Sequence, residues 1–193
     1  MSAEKAVNRS THIVFDLEAT CWGRNRDLDR MEIIEIGAAR LDPESYDITG
    51  TFTTFVKPVV ETELSDFCTD LTSIRQQDVD PAPEFPEAIE IFFDWIGEED
   101  ATFCSWGAYD IKQLRADYRR HGIPMPEDFR RHINLKRLFA DLFERRACGM
   151  KKALNILGLE LEGTHHRGVD DAANISKITK VILPMHYKNK PAD

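Results

Sequence analysis

The chain has 193 residues, 42% hydrophobic and 31% charged, with a formal net charge of −9. That length and balance suit one folded domain with a sizeable core and exclude a disordered or low-complexity chain. No apolar run approaches the roughly 20 residues of a membrane span, and residues 1–11 lack the apolar stretch of a secretory signal.

In chain order, Ile13, Val14 and Phe15 suit a buried strand. Asp16 and Glu18 follow. Side chains alternate along a strand, so these two carboxylates share a face about 6–7 Å apart. A cation beside them offsets their repulsion and lost hydration, and hard oxygen ligands suit Mg²⁺ or Mn²⁺. Alternatively, the two acids open a solvated loop. Residues 24–30 read as a charged loop, 32–41 as a second strand, 42–45 as a turn and 51–56 as a third strand ended by Pro58. Three strands with short connections predict an antiparallel meander.

Residues 62–79 read as irregular, with short helical turns. Phe85, Ala88, Ile89, Phe92 and Ile96 repeat at helical spacing, and Gly97 ends that helix. Residues 101–106 predict a buried strand. Ile111, Leu114 and Tyr118 mark the next helix, stopped by Gly122 and Pro124. A short strand near Ile133, a helix over 135–143 and a helix over 151–157 ended by Gly158 come next. Residues 163–168 form a loop. The last helix spans 170–182, with Ile175, Ile178, Val181 and Ile182 inward, and 183–193 is a polar tail. The order predicts an α/β mixed sheet with helices against it.

Two more acidic contexts stand out. Asp110 follows a strand and opens a helix, where an Asp is also a favoured N-cap. His165, His166, Asp170 and Asp171 lie at the last helix, where the two acids also favour the N-terminal dipole. His166 and Asp171 diverge on one straight helix. They converge only with His166 on the loop, a turn that Gly168 permits. Asp16, Glu18, Asp110 and Asp171 together suffice for two Mg²⁺ ions, with a histidine to take a proton from water.

On these residues the chain resembles the DEDDh 3'-to-5' exonucleases, which have a ribonuclease-H-like fold. Asp16-Leu17-Glu18 matches their first motif, Trp106-Gly107-Ala108-Tyr109-Asp110 the second, and His166 with Asp171 the third. The likeness runs over most of residues 12–183, so residues 1–193 are expected to be one exonuclease domain with polar tails. Phe15-Asp16-Leu17-Glu18-Ala19-Thr20-Cys21 and Glu63-Leu64-Ser65-Asp66-Phe67-Cys68, followed by Leu71-Thr72 and Gln77-Asp78-Val79, are similar to the enhanced-RNAi-type and histone-mRNA 3' exonuclease branch, which includes the bacterial KapD-type proteins.

The resemblance implies metal-dependent hydrolysis of a single strand from its 3' end to nucleoside 5'-monophosphates, with RNA favoured and DNA also open. Asp16, Glu18, Asp110 and Asp171 would hold two Mg²⁺, for which Mn²⁺ substitutes. His166 would be the general base, with His165 secondary because its spacing to Asp171 is one residue too long. Phe67 and Tyr109 would sandwich the terminal base, and Leu17, Ala19 and Thr20 would contact the terminal nucleotide.

Net charge hides an asymmetry that bears on such a substrate. Residues 1–110 carry 8 basic against 24 acidic side chains, whereas residues 111–152 carry 12 against 5. The basic segment would guide the strand through phosphate contacts; solvated helix faces are the plainer reading. The four cysteines are too scattered for paired zinc ligands and fit a cytoplasmic setting without a membrane partner. Two rival readings stay open, a proofreading-type DNA exonuclease and a non-catalytic nucleic-acid-binding module.

Overall fold

The computed structural model describes residues 10–23 and 27–189. The expected tails and the 24–30 loop fall partly outside that range. Five strands form one sheet in the order β3-β2-β1-β4-β5. β1 (Thr11–Ala19), β2 (Ile33–Leu41) and β3 (Ile48–Phe55) are the antiparallel meander. β4 (Ala101–Ser105) and β5 (His132–Asn134) add on parallel to β1.

The pleat of β1 sorts its side chains between two cores. Ile13, Phe15 and Leu17 face a core built with α3 (Phe85–Ile96) and α4 (Tyr109–Arg120). Val14 faces the other core, with α5 (Leu135–Leu142), α6 (Met150–Leu157) and α7 (Gly168–Asn189). On α3 the buried residues are Phe85, Ala88, Ile89, Phe92 and Ile96, the face read from the spacing, and Gly97 at φ 73° ends the helix. Two short helices, α1 (Asp66–Thr72) and α2 (Gln76–Val79), occupy the segment expected to be irregular. They close a third small core with Ala19, Cys21, Met31 and Ile34.

The last helix departs from expectation. It continues past Ile182 to Asn189, through Pro184. A proline inside a helix removes one backbone hydrogen bond and usually ends it. Here packing outweighs that loss, because Leu183 is fully buried and the Tyr187 hydroxyl lies 3.1 Å from His12 Nε2. Residues 183–189 are therefore helix and not tail. Val181, expected inward, is exposed: Ile175, Ile178 and Ile182 hold the buried stripe, and position 181 falls off it.

The join between α7 and the sheet depends on two glycines. A Cβ on Gly37 would lie 1.9 Å from the Gly168 carbonyl carbon and 2.1 Å from Val169 N. A Cβ on Gly168 would lie 2.9 Å from Gly37 N and 3.1 Å from Asp16 O. Only backbone fits between β2 and the first turn of α7, and that contact lies directly beside Asp16.

Candidate active site

The parallel strands β1, β4 and β5 end on the same side, where ligands of open α/β sheets bind. β1 pairs with β4 only from Thr11 to Val14, so its last residues run on beyond the end of β4. This leaves the backbone N–H of Leu17 without a strand partner on that side, and it donates to Asp110 Oδ1 at 3.3 Å. Asp110 is the second residue of α4. Ala108 occupies the N-cap position, so the capping role weighed for Asp110 is not the one it takes. Its carboxylate is turned onto β1 instead.

Asp16 and Glu18 lie on the α7 side of β1, as the alternation requires. Oxygens of Asp16, Glu18 and Asp171 all lie within 4.8 Å of one another. Glu18, Asp110 and Asp171 are buried, and Asp16 is partly open to the cavity. A register shift between Glu18 and Ala19 ends the regular β1–β2 ladder at this point. Burial, followed by the charges of Asp110, Glu18, Asp171 and Glu35, raises the Asp16 carboxyl well above its ordinary range. Glu18 rises likewise, from burial first and then Asp171, Glu35, Asp110 and Cys68. Among the described residues no lysine or arginine pairs with Asp16 or Glu18.

Asp171 sits in the first turn of α7 and receives two donors from the preceding loop. His166 N reaches Asp171 Oδ2 at 3.1 Å, and His165 Nδ1 lies 3.0 and 3.1 Å from its two oxygens. The His165 imidazole therefore lies against Asp171, with the His166 ring stacked on it at 4.0 Å between centroids. The turn expected of Gly168 is made elsewhere: His166 itself has φ 66°, the left-handed region that a non-glycine residue enters at a cost of about 1–3 kcal/mol. Gly168 serves the close approach to Gly37. Asp170 points away and accepts from Thr164 N at 2.8 Å, tying down the loop.

A buried ion pair anchors that loop, and the sequence reading missed it. Glu35, fully buried on β2, accepts from Arg167 Nε at 3.2 Å and Nη2 at 3.1 Å, from Gly168 N at 3.0 Å and from Thr53 Oγ1 at 3.1 Å. The available signal was a single charge amid Ile33, Ile34 and Ile36.

Asp16, Glu18, Asp110, Asp171, His165 and His166 line a cavity of about 980 Å³ that also takes in Leu17, Ala19, Phe67, Leu71, Tyr109, Asn134, Lys136 and Arg137. Phe67 is 40% exposed and Leu71, one turn further along α1, 38%. Both present apolar surface to the cavity. α1 is docked on the end of β1 by Ser65 Oγ donating to Cys21 O at 2.5 Å and by Cys68 Sγ lying 3.7 Å from Ala19 O. Leu17 packs its side chain into the core opposite the acids. Thr20 stands apart from the other expected site residues. It is buried, its hydroxyl accepts from Glu32 N at 2.9 Å, and it does not line the cavity. Of the basic segment, Lys136 and Arg137 reach the cavity, whereas Arg120, Arg130 and Arg131 are paired with acids elsewhere.

A family model described as Exonuclease (RNase T) matches residues 13–179. The chain belongs to that family. It is 32% identical to human ERI1 exoribonuclease 3 over 182 residues, covering 88% of this chain and 52% of that protein. It is 30% identical to Xenopus laevis ERI1 exoribonuclease 2 over 193 residues, covering 89% and 28%. The chain thus spans about half the length, or less, of these curated relatives. Its fold is similar to the crystallographic structure of the nuclease domain of 3'hExo, a DEDDh family member, bound to rAMP, with a TM-score of 0.88, 27% identity and coverage of 96% and 98%. The mixed sheet flanked by helices is accordingly the ribonuclease-H-like fold of the DEDDh exonucleases. The family depends on divalent metal, and the residues here fit one. Asp16 and Glu18, with no lysine or arginine partner among the described residues and their charged forms disfavoured by each other and by Asp171, belong to a hard-oxygen donor set that a dication neutralises.

Proposed function

We propose that this protein is a metal-dependent exonuclease that removes nucleoside 5'-monophosphates from the 3' end of single-stranded RNA, with single-stranded DNA as a second substrate. The observation that carries the reading is the convergence of carboxylates from three separate elements, with two histidines beside them, in one cavity. The likeness to exoribonucleases over the span of this domain supports RNA as the substrate.

In this reading Asp16, Glu18, Asp110 and Asp171 hold two Mg²⁺, for which Mn²⁺ substitutes. Bound there, the ions supply Lewis acidity, activating water and stabilising the leaving 3'-oxygen. The chain's own groups do the rest. His166 takes the proton of the attacking water, and the hydrogen bond from its backbone N to Asp171 sets its position beside the carboxylates. Phe67 and Tyr109 flank the terminal base, with Leu71 extending the Phe67 wall; stacking of this kind contributes about 1–3 kcal/mol per base and accepts any base. The backbone of Leu17 and Ala19 floors the site under the terminal nucleotide. Lys136 and Arg137 meet upstream phosphates, so binding weakens with salt. The four cysteines form no disulfide, which fits a reducing, cytoplasmic setting.

The test is hydrolysis of a 5'-labelled single-stranded RNA with Mg²⁺, alongside the same strand in DNA and one blocked by a 3'-phosphate. Stepwise shortening from the 3' end is expected, abolished by chelator, by Asp16→Asn and by His166→Ala. Full activity in either variant, or in chelator, would refute the assignment.

A further inference from the structure

We propose that His165, Asp171 and His166 form a second metal site, selective for a borderline ion such as Zn²⁺, that shares Asp171 with the carboxylate centre. Ligand atoms of these three residues lie within 4.8 Å of one another, as do those of Asp16, Glu18 and Asp171. Asp171 is the residue common to both sets. The chemistry of the sets differs. One is all oxygen and suits a hard ion, whereas the other offers two imidazoles and one carboxylate, which suit Zn²⁺ and disfavour Mg²⁺.

The His165–Asp171 half of the site is already in place. Zinc binds imidazole nitrogen at about 2.0–2.1 Å and carboxylate oxygen at about 2.0–2.2 Å, so two such ligands on a tetrahedral ion stand about 3.3 Å apart. His165 Nδ1 stands 3.0 and 3.1 Å from the two Asp171 oxygens. Exchange of the hydrogen between them for a dication needs a separation of a few tenths of an ångström and no backbone movement. The His165 side chain is 39% exposed and that of Asp171 7%, so the ion enters from the solvent side onto a buried oxygen. His166 is the third donor. Its ring lies nearly parallel to that of His165, at 20°, so both in-plane lone pairs cannot meet one ion until His166 turns out of the stack. Its backbone is fixed to Asp171 by the 3.1 Å hydrogen bond, so that turn is a side-chain rotation. Solvent fills the remaining position.

Occupancy of this site withdraws Asp171 and His166 from the carboxylate centre together. Zn²⁺ then inhibits any hydrolysis supported by Mg²⁺, and Mg²⁺ relieves it only by competing for Asp171. The inhibition rests on the proposed exonuclease function; the binding does not.

The decisive experiment is calorimetric titration of the full chain with Zn²⁺ alone and with Mg²⁺ alone. It compares the chain carrying Asp16→Asn and Glu18→Gln with the same chain also carrying His165→Ala or His165→Gln. The two-carboxamide chain is expected to lose Mg²⁺ and retain Zn²⁺, and either His165 substitution to weaken Zn²⁺ at least about tenfold. His165→Gln keeps a hydrogen-bonding side chain beside Asp171, so an equal loss in both variants identifies ligation and not loop structure. Co²⁺ used in place of Zn²⁺ should give the strong visible absorption of a four-coordinate ion, abolished by His165→Ala. Zn²⁺ affinity indifferent to His165, lost with the Asp16 and Glu18 substitutions, or retained in His165→Gln alone would overturn the proposal. A chain that binds Zn²⁺ through His165 but hydrolyses no RNA would refute the exonuclease assignment and leave the metal site standing.

Discussion

Gly37→Ala is the sharpest test of how the fold holds the site. The added Cβ would lie 1.9 Å from the carbonyl carbon of Gly168, where ordinary contact begins at 3.4 Å, so the first turn of α7 has to retreat by about 1.5 Å. The obstacle is backbone and not a side chain that can swing aside. Asp171 rides on that turn, and its oxygens now lie within 4.8 Å of those of Asp16 and Glu18. A displacement near 1 Å at a reacting centre costs on the order of 100-fold in rate, and forcing one methyl into packed backbone costs about 1–3 kcal/mol of stability. The expected result is a folded protein whose kcat falls by about two orders of magnitude while KM changes little, because Phe67 and Tyr109 lie on other elements. Turnover is measured on a 3'-end RNA substrate with Mg²⁺, and folding by urea unfolding. Gly50→Ala is the control: its Cβ would meet only the Trp95 ring, at 3.8 Å, and activity should persist. A Gly37→Ala protein with normal kcat would show that the Gly37–Gly168 contact does not set the position of Asp171.

Glu35→Ala strands the Arg167 guanidinium and the Gly168 amide beside a buried, empty position, and loss of one partner from a buried pair costs about 3–5 kcal/mol. Urea unfolding should show that loss, and a change under about 1 kcal/mol would exclude the clamp as a stabilising contact. Asp16 and Glu18 have raised folded-state values, so the folded chain without metal holds protons that the unfolded chain has released. Its stability therefore falls as pH rises from the ordinary carboxylate range through those raised values. Stabilisation by Mg²⁺ should grow with pH over the same window, as thermal melts with Mg²⁺ and with chelator will report; a shift independent of pH would contradict the carboxylate assignment. His12 works in the opposite direction. Burial lowers it to about 4, so between pH 6.5 and 4 the unfolded chain takes up its proton first and stability is lost on acidification, by about 3 kcal/mol from this residue. Subtracting the unfolding free energies of a His12→Gln variant at pH 7 and pH 4.5 should isolate most of that loss, and parallel pH profiles would refute it.

The site was more legible in the sequence than its supports. Asp16, Glu18, Asp110, His166 and Asp171 stood out as an ordered set of motifs, each open alone to a loop or capping reading, and the folded chain gathers all five around one cavity. Strand and helix positions were readable where apolar spacing is regular, as on α3. Local rules misled where a tertiary contact outweighed them. Asp110 follows the N-cap rule in sequence, yet the end of β4 freed the Leu17 amide and drew the carboxylate there. Pro184 signals a helix end, yet buried Leu183 and the Tyr187–His12 contact carry α7 on. Gly168 and Gly37 lie 131 residues apart in the chain, and only the folded packing shows that each requires the other.

The fates of Glu18 and Glu35 explain why the charge deficit sits where it does. They are register partners across β1 and β2, buried side by side, and like charges so placed destabilise a sheet. Glu35 is neutralised within the protein by Arg167, Gly168 and Thr53. Among the described residues Glu18 has no lysine or arginine pair, and the charges of Asp171, Glu35 and Asp110 all act against its ionised form. Arg167 therefore cancels Glu35 and leaves uncancelled the acids that line the cavity. The position of one arginine, two residues past His165 and four before Asp171, thus separates the acid neutralised within the protein from the acids left facing the cavity.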